Sequence, residues 1–296
     1  MTVLSVVPPD GEPETIFGSN GSTYAVGSSF GRDPNLLTMV AMEALYATSA
    51  GGLYLSGVSD HLTRLLSTPI RQRSHRAKNP HALPVVLLHG LAHNQSWAVK
   101  IQREMQSCGL KTRALNYYTF GRSVDQCAEQ AAEKIVEYIE RERVPGVHVA
   151  AHSLGGIVLR AALNKYPELQ PLVATGITIG SPHHGTPWAT TGFRVIPKVG
   201  GLVEELRPGS ETLSDIDEQT TEQPTRWMSI YSTTDEVVPG DNGRLDHPKL
   251  RATQFVLRGV GHYGLTYDAT AVRVVTDAVL ESDALVAGRS TGIRVA

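Results

Sequence analysis

The run Val147-His148-Val149-Ala150-Ala151-His152-Ser153-Leu154-Gly155-Gly156-Ile157-Val158-Leu159 holds a strand, a turn and a helix start. It opens as an apolar, β-branched stretch, which reads as a buried strand. It passes into Ile157-Val158-Leu159-Arg160-Ala161-Ala162-Leu163, which reads as a helix. Between them, Ala151-His152-Ser153-Leu154-Gly155 is a nucleophile-elbow pattern with Ala in place of the first Gly. A serine at such a turn sits in a strained conformation with its hydroxyl exposed. Residues two places away on either side must be small, and Ala151 and Gly155 are. Gly156 lets the helix approach the strand. The Leu154 N–H then lies at a helix N-terminus, where developing negative charge is favoured.

On both sides of this run the chain alternates strand and helix. Pro84 to Leu88 reads as a buried strand, and residues 96–107 as a helix capped by Ser96. Lys111 to Leu115 is a strand. Ser123-Val124-Asp125-Gln126 is a capping box that opens a helix to about Arg143. Leu172 to Ile179, Trp227 to Tyr231 and Thr253 to Leu257 are strands, and a last helix runs from about Tyr267 to Leu280. Apolar strands alternating with helices predict a mostly parallel sheet of about six strands, covered on both faces. Ligands of such a sheet bind at the carboxyl ends of its strands. Ser153, His89, Ser181, Asp235 and the His262 loop all fall there.

Residues 187–224 break the rhythm. Structureless loops of that length are uncommon unless functional. This one follows a strand that ends at the site, and it carries Trp188, Phe193, Val195, Ile196 and Leu202. It reads as a cap, either a closing lid or a fixed pair of helices. Residues 1–33 show no sustained period and read as an irregular arm. Asp33-Pro34 starts a helical pattern to about Thr48, which resumes after Gly51-Gly52 to about Leu66. Residues 71–80 are a basic linker. Two divisions follow: 1–80, an arm with helices packing on the core, and 81–296, the α/β domain with its insertion.

A net charge of −2 gives no basic excess for nucleic acid. Cys108 and Cys127 read as free thiols in helical stretches. The N-terminus lacks the basic start and apolar core of a secretory signal, so a cytoplasmic location is expected. Residues 35–59 hold one charge, Glu43, but polar residues and Gly51-Gly52 interrupt them. They read as buried helices, not as a membrane span.

A serine needs a base, and the base an orienting acid. In this strand order the acid and then the histidine follow the serine. Asp235 stands just past the strand ending in Tyr231, and His262 follows the last strand after Gly259 and Gly261. Asp241, Asp246 and Glu236 compete for the acid; Asp235 lies nearest the strand end. Asp241, in Gly240-Asp241-Asn242-Gly243, reads as a turn residue. His247 reads as a surface histidine. The second oxyanion donor belongs in the loop after the first strand, Leu88-His89-Gly90-Leu91-Ala92, with Leu91 presenting its N–H. His89 reads as structural. His183-His184, His89, His93 and His152 match no zinc spacing, and Asp215, Asp217 and Asp241 form no EF-hand loop. No metal or cofactor is expected.

Leu87-Leu88-His89-Gly90, Ala151-His152-Ser153-Leu154-Gly155-Gly156 and Gly180-Ser181-Pro182-His183-His184-Gly185-Thr186-Pro187 together resemble the bacterial α/β-hydrolase lipases and esterases. Glu205-Leu206-Arg207-Pro208-Gly209-Ser210, Asp235-Glu236-Val237-Val238-Pro239 and Gly261-His262 extend the likeness over about residues 83–282. Ala151 departs from the usual Gly, as in some lipases. The first 80 residues match nothing in that group, whose larger members carry two leading strands. The resemblance implies an α/β-hydrolase fold, catalytic roles for Ser153, Asp235 and His262, and oxyanion roles for Leu91 and Leu154. It also implies a cap at 187–224.

These readings converge on hydrolysis of carboxylic esters through an acyl-enzyme, with Phe120 and Trp188 as candidates for substrate contact. The substrate is a small-molecule or lipid ester, and transient contact with a membrane or lipid surface fits it. The same triad would serve an acyltransferase with an alcohol acceptor. A silent binding protein on this scaffold is a third reading, which the intact triad disfavours.

Overall fold

Alternate residues of the apolar runs enter different cores. In β4 (Val85–Leu88), Val86 and Leu88 pack on one side of the sheet, Val85 and Leu87 on the other. That is why the run shows no polar face: both sides of the sheet are covered. The computed structural model describes residues 82–191 and 200–291 and the strand segments 5–6, 14–15 and 23–26. The helices expected over 34–66 and the linker at 71–80 lie outside the described residues.

After β4 come β5 (Thr112–Leu115), β6 (Val147–His152), β7 (Val173–Ile179), β8 (Arg226–Ser232) and β9 (Thr253–Leu257). An earlier strand, β3 (Thr23–Val26), pairs parallel with β9, with Tyr24 opposite Phe255. The sheet is thus seven strands, all parallel, in the order β3-β9-β8-β7-β6-β4-β5. Six were expected; the seventh comes from the arm read as irregular. Two further short strands, β1 (Ser5–Val6) and β2 (Glu14–Thr15), pair antiparallel with each other.

Helix α1 (Val99–Ser107) and the last helix, α8 (Ala269–Thr291), cover one face through Ile101, Met105, Val274, Val275 and Ala278. On the other face α2 (Val124–Glu142) and α3 (Leu154–Lys165) bury Cys127, Ile135, Ile157 and Leu159. Neither Cys108 nor Cys127 is in a disulfide. Ser123 and Gln126 form the capping box of α2 reciprocally. The cap at residue 96 is corrected: a 3-10 turn, Gln95–Ala98, precedes α1, and the Asn94 side chain accepts the Ser96 N–H at 2.9 Å. An amide at residue 94 reaches two residues on, which places the cap earlier. The last helix also begins differently. A short turn, α7 (Gly264–Tyr267), comes first, and Asp268 accepts the N–H groups of Thr270 and Ala271 to open α8.

The insertion contains α4 (Trp188–Thr191), α5 (Gly200–Glu205) and α6 (Glu211–Gln219). Among the described residues no helix is long and apolar enough to cross a membrane. The chain runs from β4 outward to β5, then returns to β6 on the other side of β4. That reversal opens a crevice at the carboxyl ends of β4 and β6.

Candidate active site

Ser153 stands in this crevice at φ +55° and ψ −127°. Such a conformation costs about 1–3 kcal/mol and needs its surroundings to hold it. The Ser153 N–H donates to Ile179 O at 2.8 Å, and its C=O accepts from Gly156 at 3.0 Å. The small flanks are required by contact. A Cβ on Gly155 would lie 2.8 Å from His89 O, and one on Gly156 would lie 2.1 Å from Ser181 Oγ.

His262 Nε2 lies 3.0 Å from Ser153 Oγ, and His262 Nδ1 lies 2.8 Å from Asp235 Oδ2. A carboxylate can only accept, so Nδ1 carries the proton and Nε2 is free to accept from the serine hydroxyl. The other Asp235 oxygen, Oδ1, accepts the N–H groups of Val237 and Val238 at 2.8 and 2.7 Å. Asp235 is buried with both oxygens satisfied. The competing acids bond elsewhere: Asp241 accepts from the Tyr231 hydroxyl, Asp246 pairs with His184 at 3.0 Å, and Glu236 takes the His262 backbone N–H.

Leu154 is the first residue of α3, and Leu91 follows Gly90 in the loop after β4. Neither backbone N–H is engaged in a hydrogen bond among the described residues. A Cβ on Gly90 would lie 2.9 Å from Ser153 Cβ, so this loop passes directly against the serine. The loop is anchored at Ala92, whose φ is +53° and whose N–H donates to Thr119 Oγ1. The Leu91 side chain packs against Ala189 and Val203, so the insertion touches the loop after β4.

His89 is held as a structural residue. Its Nε2 accepts the Tyr117 N–H at 3.3 Å and Nδ1 meets Gly90 O at 2.9 Å. The Tyr117 ring stacks on it at 4.3 Å, and the Tyr117 hydroxyl donates to its carbonyl. Burial lowers its pKa to about 4, so it stays neutral. His152 is buried between Trp97, 5.4 Å away, and His262, 4.8 Å away. Burial holds it well below the ordinary histidine range, and His262 and His93 add to the effect. His93, stacked on Tyr263 at 5.5 Å, is lowered to about 4, first by burial and then by His89 and His262. His183 points inward to Thr178 and His184 outward to Asp246. Among the described residues no three potential ligands come together as a metal site.

The two residues proposed for substrate contact lie on separate segments, Phe120 in a turn and Trp188 at the start of α4. Phe120, half-exposed, stands between β5 and α2. Trp188 is also half-exposed, and its indole N–H donates to Glu236 O at 2.6 Å, beside the acid. One close neighbour, Gly180, heads a motif of the resemblance above but was given no role there. Gly180, at φ +56°, backs the Asp-His pair: a Cβ there would lie 3.3 Å from Asp235 Oδ2 and 3.4 Å from His262 Nδ1.

A family model for palmitoyl protein thioesterases matches residues 84–223. No curated protein matches the sequence. Among solved structures, mature lipase BlEst2 of Bacillus licheniformis is 18% identical with a TM-score of 0.59, over 69% of this chain and 94% of that one. Lipase B of Aspergillus fumigatus is 19% identical with a TM-score of 0.57, over 70% of this chain and 54% of that one. A putative aryl esterase from Burkholderia cenocepacia is 14% identical with a TM-score of 0.52, over 70% of this chain and 93% of that one. The parallel sheet order, the strained serine turn and these likenesses agree: the chain has the α/β-hydrolase fold that these lipases and esterases share.

Proposed function

We propose that the protein is a serine hydrolase that cleaves carboxylic esters of acyl chains through an acyl-enzyme. One observation carries the reading: Ser153 Oγ, the His262 ring and Asp235 form an unbroken hydrogen-bonded series, with distances of 3.0 and 2.8 Å. Ser153 Oγ attacks the ester carbonyl as His262 Nε2 takes its proton. Asp235 fixes the ring and offsets the charge of the imidazolium. The oxyanion accepts from the Leu91 and Leu154 N–H groups, and the N-terminus of α3 favours its charge. The tetrahedral species collapses to acyl-Ser153, and the proton on Nε2 passes to the leaving alcohol. Water then attacks the acyl-enzyme with His262 as base, releasing the acid and Ser153. No metal is needed for any step.

The family match gives thioesters a claim as substrates, since the same steps expel a thiol. A chain-length series of p-nitrophenyl esters, run beside the matching acyl thioesters, separates the two. Ser153→Ala should bring turnover of either close to background. Asp235→Asn should cost about 10⁴-fold in kcat by favouring the wrong tautomer. Full activity in Ser153→Ala would end the reading. Activity kept in Asp235→Asn but lost in Asp241→Asn would move the acid.

A further inference from the structure

The acid and base loops are joined side chain to backbone beyond the ends of β8 and β9. The Thr233 N–H donates to Leu257 O at 3.1 Å. Thr234 Oγ1 accepts the Val260 N–H and donates to Val260 O, both at 3.1 Å. Glu236 Oε2 accepts the His262 N–H at 3.1 Å. Residues 234 and 236 thus take the backbone of 260 and 262, while Asp235 between them takes the His262 ring. The opposite side of the His262 residue is held too, by His152 Nε2 at 3.4 Å from its carbonyl oxygen.

We propose that Glu236 is a positioning residue, whose carboxylate fixes the His262 backbone so that the ring stays in line between Asp235 and Ser153. The proposal rests on the hydrolase reading for its effect on rate, but not for the clamp itself. An imidazole must bridge two partners through opposite nitrogens, and it is displaced by rotation about its side-chain bonds or by drift of its backbone. Asp235 alone restrains one end of the ring. A carboxylate on the His262 N–H restrains the main chain, and a charged acceptor makes that hydrogen bond stronger than a neutral one. The exposure of the Glu236 side chain leaves its removal cheap for folding. Its main-chain carbonyl, which holds Trp188, survives any substitution, so substrate binding should be spared.

The test compares Glu236→Ala with Glu236→Gln, which keeps an acceptor oxygen. With a short p-nitrophenyl ester, Glu236→Ala should lose about tenfold to a hundredfold in kcat at little-changed KM. Glu236→Gln should restore most of that loss. A second readout needs no substrate. The proton between His262 Nδ1 and Asp235 gives a low-field proton NMR resonance, identified by its loss in His262→Ala. Its exchange with water should quicken in Glu236→Ala and slow again in Glu236→Gln. Wild-type kcat and wild-type exchange in Glu236→Ala would overturn the proposal, as would equal losses in the two variants. If the wild-type protein turns over no ester, exchange alone decides. Quickening only in Glu236→Ala would then uphold the clamp while ending the hydrolase reading.

Discussion

The strained backbone at Ser153 has a counterpart behind His262, a position that only glycine fills without strain. Gly180 sits at φ +56° with open space only for a hydrogen: a Cβ would lie 2.8 Å from Leu265 Cδ1 as well as against the Asp-His pair. Gly180→Ala should therefore cost about 1–3 kcal/mol of stability. It should also push the ring or the carboxylate out of line, and a misplacement near 1 Å costs about a hundredfold in rate. Thermal denaturation and kcat on a short ester measure the two effects. An alanine variant with wild-type kcat would show that the pair has room to shift. Ser153, Asp235 and His262 were readable from their order and from the strand each follows. Gly180 was not, because the atoms it makes room for come from residues far along the chain. The same holds for Thr234 and Glu236, whose partners are backbone groups that carry no sequence identity.

The 187–224 insertion divides into two parts. The Thr186 N–H donates to Leu206 O at 2.8 Å, and Gly185 lies against the backbone of Arg207 and Pro208. Beyond this junction the chain belongs to the core. Arg160, buried on α3, meets Asp217 on α6 at 2.5 Å, and Asn164 donates to Ile216 O at 2.8 Å. Leu213 and Ile216 join the core of α2 and α3. The acidic composition of 211–219 hides this, because two apolar residues three apart suffice to dock one short helix. On the proposed function, the segment that would cover the substrate falls within residues 187–205. Because Thr186 and Leu206 already touch and Leu202 is buried in the core with Leu213 and Ile216, a short Gly-Ser link in place of 190–200, which keeps Leu202 and Val203, should leave the fold intact. Each acyl methylene that loses its wall should cost about 0.8 kcal/mol, about fourfold in kcat/KM. Long-chain esters should suffer most and acetate least. An unchanged chain-length profile in the folded variant would end the claim that this segment meets the acyl chain.

At the scale of the whole molecule, most of the strands from Val85 to Leu257 were legible because burial on both faces makes them rich in apolar residues, whereas β5 carries the exposed Arg113 and was read from its place between two helical patterns. Strand β3 was not, since four residues pairing with one neighbour at a sheet edge leave no period behind. Packing helices on both faces also buries histidines, and this sets the response to acid. His89 and His93 are lowered to about 4, while burial carries His152 and His183 well below the ordinary value. In the unfolded chain each protonates near 6.5. Below that pH the unfolded state binds more protons, so stability falls as pH falls. The loss runs from about pH 6.5 to about 4 for His89 and His93 and continues lower for the other two. Each contributes up to about 1.4 kcal/mol per pH unit. The half-buried carboxyls of Glu205 and Glu281, raised by desolvation, titrate in the opposite sense and offset part of this. Against a typical total of about 5–15 kcal/mol, this linkage should lower stability as pH falls from 6.5 to 4.5. Urea unfolding from pH 7 to 4.5 would show it. His93→Phe should flatten the slope by up to about 1.4 kcal/mol per unit, because it removes one partly buried titrating ring. A stability that is level between pH 6.5 and 4.5 would mean that these rings open to water before the fold does.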